Sequence, residues 1–211
     1  SKKLNREQLI EVKNQIQATA NSKTLAHYAL CKQLGIPAKA TNNIATGVGK
    51  TRTAWKLIFE NKQFKTILFM VPKQSLVDQT IQEFAEQGIE FDYCTVYTQG
   101  DVKTVQELHA FLNRTTGLKK IVFAVYNSVG INETNSSVFN DSDFIFDLAI
   151  YDECHRVAGK EMSQFTSCVS DEVVKAHHKL FMTATVKFYL EGADENLNEY
   201  SMQNEDLFGK D

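Results

Sequence analysis

A glycine-rich turn followed by lysine and threonine occupies residues 44–51, which read IATGVGKT. Gly47 and Gly49 would let the backbone pass close to the phosphates of a nucleoside triphosphate, with amide hydrogens facing the β-phosphate. Lys50 would then reach the β- and γ-phosphate oxygens, and the Thr51 hydroxyl would ligate Mg²⁺. The predicted nucleotide-binding residues of this turn are Thr46, Gly47, Val48, Gly49, Lys50 and Thr51. The alternative interpretation is a chance glycine–lysine turn.

Two adjacent acids follow an apolar run at residues 148–155, which read LAIYDECH. This pattern predicts a strand that carries Asp152 and Glu153 to the carboxyl edge of a sheet, where the glycine-rich turn is also expected. Asp152 would hold Mg²⁺, and Glu153 could orient and deprotonate the water that attacks the γ-phosphorus. His155 is a candidate relay to whatever binds above the sheet. Such acids are otherwise a solvated turn, and His155 could be a surface residue. The predicted catalytic residues are Lys50, Asp152, Glu153 and His155.

Two hydroxyl side chains end a third apolar run, at residues 181–185, which read FMTAT. Thr183 and Thr185 could hydrogen-bond to the acids and sense the γ-phosphate. Taken alone, this pattern is more often a plain strand end. In combination with the other two stretches, it predicts that both threonines couple the nucleotide to the rest of the molecule.

The elements that must position these residues alternate along the chain. The run TILFMV at residues 66–71, ended by Pro72, is typical of a strand buried on both faces. Strands are also predicted at 38–45, 91–97, 120–126, 146–151 and 180–183, and helices at 4–20, 23–34, 49–60, 75–87 and 102–112. The alternation predicts a parallel α/β sheet with helices on both faces. The strand at 38–45 is more polar than a central strand usually is.

The composition is that of one large globular domain, with 211 residues, 43% hydrophobic and 23% charged. No apolar run reaches the length of about 18 residues needed to cross a membrane. The four cysteines lack metal-ligand spacing and favour a reducing compartment, with the cytoplasm as the expected location. Since the net charge is −3, any nucleic-acid contact must come from a local surface.

The stretches ATGVGKT, DECH and TAT, in this order and spacing, resemble motifs I, II and III of superfamily 2 helicases and translocases. The resemblance spans most of the chain and is to the first of two RecA-like, DEAD/DEAH-type ATP-binding domains. It implies a RecA-like P-loop fold in a single-domain fragment. The expected divisions are an N-terminal helical segment at 1–36, the ATP-binding domain at 37–190, and an acidic linker at 191–211 toward a second RecA-like domain.

Three further stretches resemble segments of the same superfamily. MVPKQSLVDQ at residues 70–79 looks like motif Ia, and VYNS at 125–128 looks like a segment beside it on the nucleic-acid strand. LNREQ at 4–8 is similar to the stretch whose glutamine reads adenine, which makes Gln8 a further nucleotide-binding candidate. The candidates to touch a sugar-phosphate backbone are Lys73, Gln74, Ser75, Gln79, Asn127 and Ser128.

Within the superfamily, DECHRVAG and the segment YSMQNEDLFG at residues 200–209 look most like restriction-type translocases and predicted helicases. The resemblance implies ATP and Mg²⁺ as cofactors and double-stranded DNA, rather than RNA, as partner. An arginine from the second domain would be worth about 10³–10⁵ in rate, so the isolated domain should hydrolyse ATP poorly. The alternatives are a nucleotide-gated interaction module, an RNA helicase domain, and a P-loop kinase or unrelated ATPase. DECH and TAT argue against the kinase.

Overall fold

The computed structural model of the chain describes residues 39–43, 49–129, 138–139, 144–157 and 167–184. The helices predicted at 4–20 and 23–34 and the acidic segment 191–211 lie outside these ranges. The expected domain divisions therefore stay predictions. In the described ranges, no helix is long and apolar enough to cross a membrane.

Six strands form one sheet in the described part of the chain, and every pairing between them is parallel. The spatial order is β1-β6-β5-β2-β4-β3. The strands are β1 (Lys39–Asn43), β2 (Thr66–Val71), β3 (Asp92–Val96), β4 (Lys120–Val125), β5 (Leu148–Asp152) and β6 (Lys179–Thr183). Because all the strands run in the same direction, the segments that follow them meet at one edge of the sheet. The predicted parallel α/β fold is confirmed.

Helices cover both faces of this sheet. They are α1 (Lys50–Glu60), α2 (Gln74–Ala85), α3 (Val105–Leu112) and α4 (Tyr126–Val129), with short 3-10 turns at Cys154–Val157 and Ser167–Val169. Ala54 of α1 and Val77 of α2 are buried in one core cluster, whereas Leu108 of α3 and Val129 of α4 are buried in the other. The sheet therefore separates two cores, as a strand pattern buried on both sides requires.

The continuous apolar run of β2 is explained by its position between β4 and β5. Its side chains alternate between the two cores: Leu68 belongs to one cluster, and Ile67 and Phe69 belong to the other. All three are at most 1% exposed. This period of two places apolar side chains of β2 in both cores beneath the carboxyl edge of the sheet.

The predicted bounds differ from the observed ones by up to three residues, as for the helix predicted at 102–112, which begins at Val105. Two of the differences affect the site. The strand predicted to reach Tyr126 ends at Val125, and Tyr126 instead begins the four-residue helix α4. The polar strand β1 stands at the end of the strand order, with β6 as its single neighbour among the described strands, rather than in the centre. A strand in this position needs fewer apolar side chains than a strand with neighbours on both sides.

Candidate active site

The turn into α1 requires a glycine at its last position. Gly49 directly precedes the helix and has a φ of 89°, in the left-handed region that favours glycine. A Cβ added there would meet Arg52 Cβ at 3.8 Å, so the backbone angle rather than lack of space excludes other residues. The first turn of α1 carries no acidic side chain. Its leading amide groups point out of the amino end of the helix, where they could donate to an anion. Thr46, Gly47 and Val48 lie outside the described residues.

Lys50 lies against the acid pair across the edge of the sheet. Its Nζ is 2.8 Å from Glu153 Oε1, and the two side chains are only 9% and 25% exposed. Helix α1 supplies the ammonium group, and the end of β5 supplies the carboxylate. The structure thus brings Lys50, at the end of the IATGVGKT stretch, together with the DECH stretch.

Glu153 has an unusual backbone conformation. Its φ is 51°, and it is the one non-glycine residue with positive φ in the described ranges. This left-handed conformation costs about 1–2 kcal/mol for a residue with a Cβ. Such strain persists where surrounding contacts hold it, and it is typical of functional sites. Here the sharp turn after β5 aims the carboxylate at Lys50.

His155 links the acid pair to the end of β6. Its Nδ1 lies 3.0 Å from Thr183 Oγ1 and 3.3 Å from Glu153 Oε2. Thr183 is fully buried, whereas the His155 side chain is 20% exposed, so this contact is only partly shielded from water. A chain of polar contacts therefore runs from Lys50 through Glu153 to His155 Nδ1, and the same nitrogen also contacts the final residue of β6. Thr185 lies outside the described residues.

Asp152 carries a buried oxygen that suits a cation. Its Oδ1 has no hydrogen-bond partner among the described residues. Burial and then the charge of Glu153 raise the pKa of Asp152 to about 6, although Lys50 opposes the shift. Mg²⁺ commonly binds through one or two carboxylates together with substrate phosphates and water. Asp152, with half-buried Thr51 in the first turn of α1, therefore fits Mg²⁺ by the chemistry of its donors.

Replacing Asp152 by asparagine should flatten the pH dependence of stability between pH 5 and 7.5. The pKa of about 6 in the folded state exceeds the ordinary value of 3.8, so folding favours the protonated carboxyl. This contribution is complete below pH 3.8 and is lost as pH rises through 6. The wild type should therefore lose about 1 kcal/mol more than Asp152→Asn over that interval.

Denaturant unfolding at several pH values measures this difference. Asp78→Asn, which changes an exposed carboxyl on α2, is the control and should follow the wild-type curve. Parallel curves for the wild type and Asp152→Asn would contradict the shifted pKa.

A second group of candidates meets further along the same edge. Strands β2 and β4 are neighbours, and Val71 is in register with Val125. The segments that follow them therefore lie side by side. Lys73, Gln74, Ser75 and Asn127 are exposed, and Ser128 is half-buried.

One other predicted contact is placed differently. Gln79 is exposed but lies more than a turn along α2, where its Nε2 donates to Glu83 Oε1 at 2.7 Å. Gln8 lies outside the described residues. The exposed group at the edge therefore consists of the segments directly after β2 and β4.

Sequence reasoning assigned no role to Tyr126. Its hydroxyl donates to the backbone carbonyl of Asp152 at 2.6 Å, and its side chain is fully buried. A tyrosine beside an apolar strand gives no sequence signal for such a contact.

Comparisons with known proteins give the family. Residues 8–188 match the family described as type III restriction enzyme, res subunit (ResIII). The chain is 33% identical over 175 residues to the probable helicase A859L of African swine fever virus, isolate Tick/Malawi/Lil 20-1/1983, covering 81% of this chain and 19% of that protein. It is 30% identical to the type I restriction enzyme EcoAI endonuclease subunit of Escherichia coli, covering 68% of this chain and 16% of that one.

A solved structure shows the same fold. The ATP-dependent type ISP restriction-modification enzyme LlaBIII bound to DNA aligns with a TM-score of 0.62 and 26% identity, covering 99% of this chain and 15% of that one. The chain thus spans under a fifth of each of these proteins, with 19% the largest share. Membership in this group implies nucleotide use. The chain belongs to the ResIII family, as a first RecA-like domain of the superfamily 2 helicase type.

Proposed function

We propose that this chain is the ATP-binding and ATP-hydrolysing motor domain of a superfamily 2 DNA translocase, of the type used by restriction and DNA-defence enzymes. The observation that carries the proposal is the contact of Lys50 Nζ with Glu153 Oε1 at 2.8 Å. Beside it lies Asp152 Oδ1, which has no hydrogen-bond partner within the described part of the chain. A cation, a candidate metal ligand and a candidate base are thereby collected at the amino end of α1. These are the groups that phosphoryl transfer to water needs.

Each residue has a separate role in this mechanism. Lys50 binds the β- and γ-phosphate oxygens, and Glu153 accepts a proton from the attacking water. The water oxygen forms a bond to the γ-phosphorus as the bond to the ADP oxygen breaks. Mg²⁺ held by Asp152 and Thr51 would neutralise charge on the phosphates. An arginine from a second RecA-like domain would complete the site.

The Lys50–Glu153 ion pair suggests how the base becomes available. A triphosphate that takes Lys50 Nζ competes with Glu153 for the same ammonium group. The carboxylate is then released toward water, while His155 still links it to Thr183 at the end of β6. Thr183 and, beyond the described residues, Thr185 would pass the state of the γ-phosphate to the second domain.

Double-stranded DNA is the proposed partner because LlaBIII, which aligns over 99% of the chain, was solved bound to DNA. The exposed segments after β2 and β4 would contact the sugar-phosphate backbone. Such contacts hold the strand without reading its sequence. That suits a motor that moves along DNA of any sequence.

ATP hydrolysis by the full-length protein tests the proposal. Turnover should rise when linear double-stranded DNA is added, and it should rise less with RNA of equal length. Stimulation by RNA alone would support an RNA helicase instead. ATP binding with slow, DNA-independent turnover would overturn the motor and support a nucleotide-gated interaction module.

Lys73→Ala should sharpen this test by removing one phosphate contact. DNA affinity should fall at low salt, and the slope of log affinity against log salt should decrease by about 1. Lys62→Ala is the matched control, because Lys62 is exposed in the turn before β2, at the opposite edge of the sheet. Equal DNA affinity and equal salt slopes in the two variants would remove Lys73 from the DNA interface.

A further inference from the structure

Tyr126 connects the segment after β4, one of the two segments proposed to contact DNA, to the acid pair Asp152 and Glu153. Strand β4 ends at Val125, and α4 begins with Tyr126 without an intervening loop. Its buried hydroxyl donates to the carbonyl oxygen of Asp152 at 2.6 Å. Burial raises the pKa of Tyr126 well above its usual range, so the hydroxyl remains a donor at neutral pH. The next residue in the chain, Asn127, is one of the exposed DNA candidates.

The carbonyl that Tyr126 holds belongs to the peptide unit between Asp152 and Glu153. This unit is planar, so fixing its oxygen also fixes its nitrogen, which belongs to Glu153. The left-handed φ of 51° at Glu153 is a rotation about the bond that starts at this nitrogen. A hydrogen bond to the carbonyl therefore fixes the plane of this peptide, and that plane together with φ determines the direction of the Glu153 side chain. Without it, the peptide keeps the bond from the Glu153 amide to the Asp152 carboxylate but loses the anchor on its oxygen, so Glu153 is freer to relax to a negative φ.

The ring of Tyr126 is held in place by stacking. It lies 6.5 Å from the ring of Tyr151, with an interplanar angle of 15°. Tyr151 in turn stacks on Phe181 of β6 at 4.5 Å. The hydroxyl of Tyr151 donates to a different carbonyl, that of Cys168, at 3.0 Å. Two buried tyrosines in one stack thus make the same type of hydrogen bond, and only one of them reaches the acid pair.

We infer that Tyr126 is a positioning residue that orients the Asp152–Glu153 peptide and, through it, the carboxylate of Glu153. The inference rests on the proposed function, because it assumes that Glu153 is the base. It extends that function by assigning a residue outside the DECH stretch to the alignment of the attacking water. It also links α4 to the nucleotide site, since a shift of α4 would move the Tyr126 hydroxyl that donates to the Asp152 carbonyl.

Tyr126→Phe in the full-length protein tests the inference, because it removes the hydroxyl and keeps the ring. Single-turnover ATP hydrolysis with DNA present should slow by about 10- to 100-fold, since a misplacement of about 1 Å can have effects of this size. KM for ATP should change less than about twofold because Lys50 and the glycine-rich turn are untouched. Tyr151→Phe is the matched control and should lower the melting temperature similarly while keeping wild-type turnover.

A double-substitution cycle with Glu153→Gln separates positioning from a general loss of structure. If Tyr126 acts through Glu153, adding Tyr126→Phe to Glu153→Gln should produce no further loss of turnover. The inference would be overturned if the losses of turnover caused by Tyr126→Phe and Glu153→Gln multiplied in the double variant. Equal turnover in Tyr126→Phe and Tyr151→Phe would also overturn it, and either result would leave the proposed function intact. Wild-type turnover in Glu153→Gln itself would remove the proposed base and the inference together.

Discussion

Glu153→Gln should bind ATP with nearly wild-type affinity and lose turnover by about 10²- to 10⁴-fold, the usual contribution of a general base. Glutamine keeps the shape of the side chain and can still accept a hydrogen bond from Lys50 Nζ, which lies 2.8 Å from Oε1. Its amide cannot take a proton from water. The substitution also removes the charge that helps to raise the pKa of Asp152, so Asp152 should be more fully ionised and the metal site preserved.

Binding and turnover must be measured separately to test this expectation. Calorimetric titration with ATP and Mg²⁺ gives the affinity, and phosphate release with double-stranded DNA present gives the rate. Glu90→Gln is the control, because Glu90 is exposed near the start of β3, at the opposite edge of the sheet. Equal rates in Glu153→Gln and Glu90→Gln would remove the assignment of the base.

The regular part of the fold could be predicted because burial on both faces leaves a strong signal. The run at 66–71 coincides with β2, since a strand between two neighbours must be apolar on each side. The four residues of α4 make only about one helical turn, so no periodic pattern can appear and they give no such signal. The backbone there turns at Tyr126, whose hydroxyl bonds to a residue distant in sequence, and such a tertiary contact is invisible to a local pattern.

The sequence was enough to predict which stretches meet at the site, but not their detailed geometry. Parallel strands end at one edge, so the order of the motifs was enough to expect Lys50 near the acids. The left-handed backbone of Glu153 could not be anticipated, because residues with a Cβ seldom adopt it and the residue type carries no mark of it. The bridge from Glu153 through His155 to Thr183 likewise depends on the register of β5 and β6.

Lys50→Ala should weaken ATP binding by roughly 10- to 100-fold, the range expected when hydrogen bonds to a charged group are lost. Turnover should fall to background, because Lys50 would also stabilise the charge that develops on the γ-phosphate in the transition state. Lys56→Ala is the control, since it removes the same charge further along α1, and it should behave as wild type. Titration with ATP and Mg²⁺, together with phosphate release, measures both effects.

The loss must also be separated from damage to the fold. Lys50→Ala leaves the partly buried carboxylate of Glu153 without its ammonium partner, so this variant alone should be less stable. Adding Glu153→Gln removes the unpaired charge, and the double variant should recover stability without recovering ATP binding. A double variant that regains ATP binding would mean that Lys50 acts by neutralising Glu153. ATP affinity in Lys50→Ala equal to that in Lys56→Ala would place the triphosphate away from this edge of the sheet.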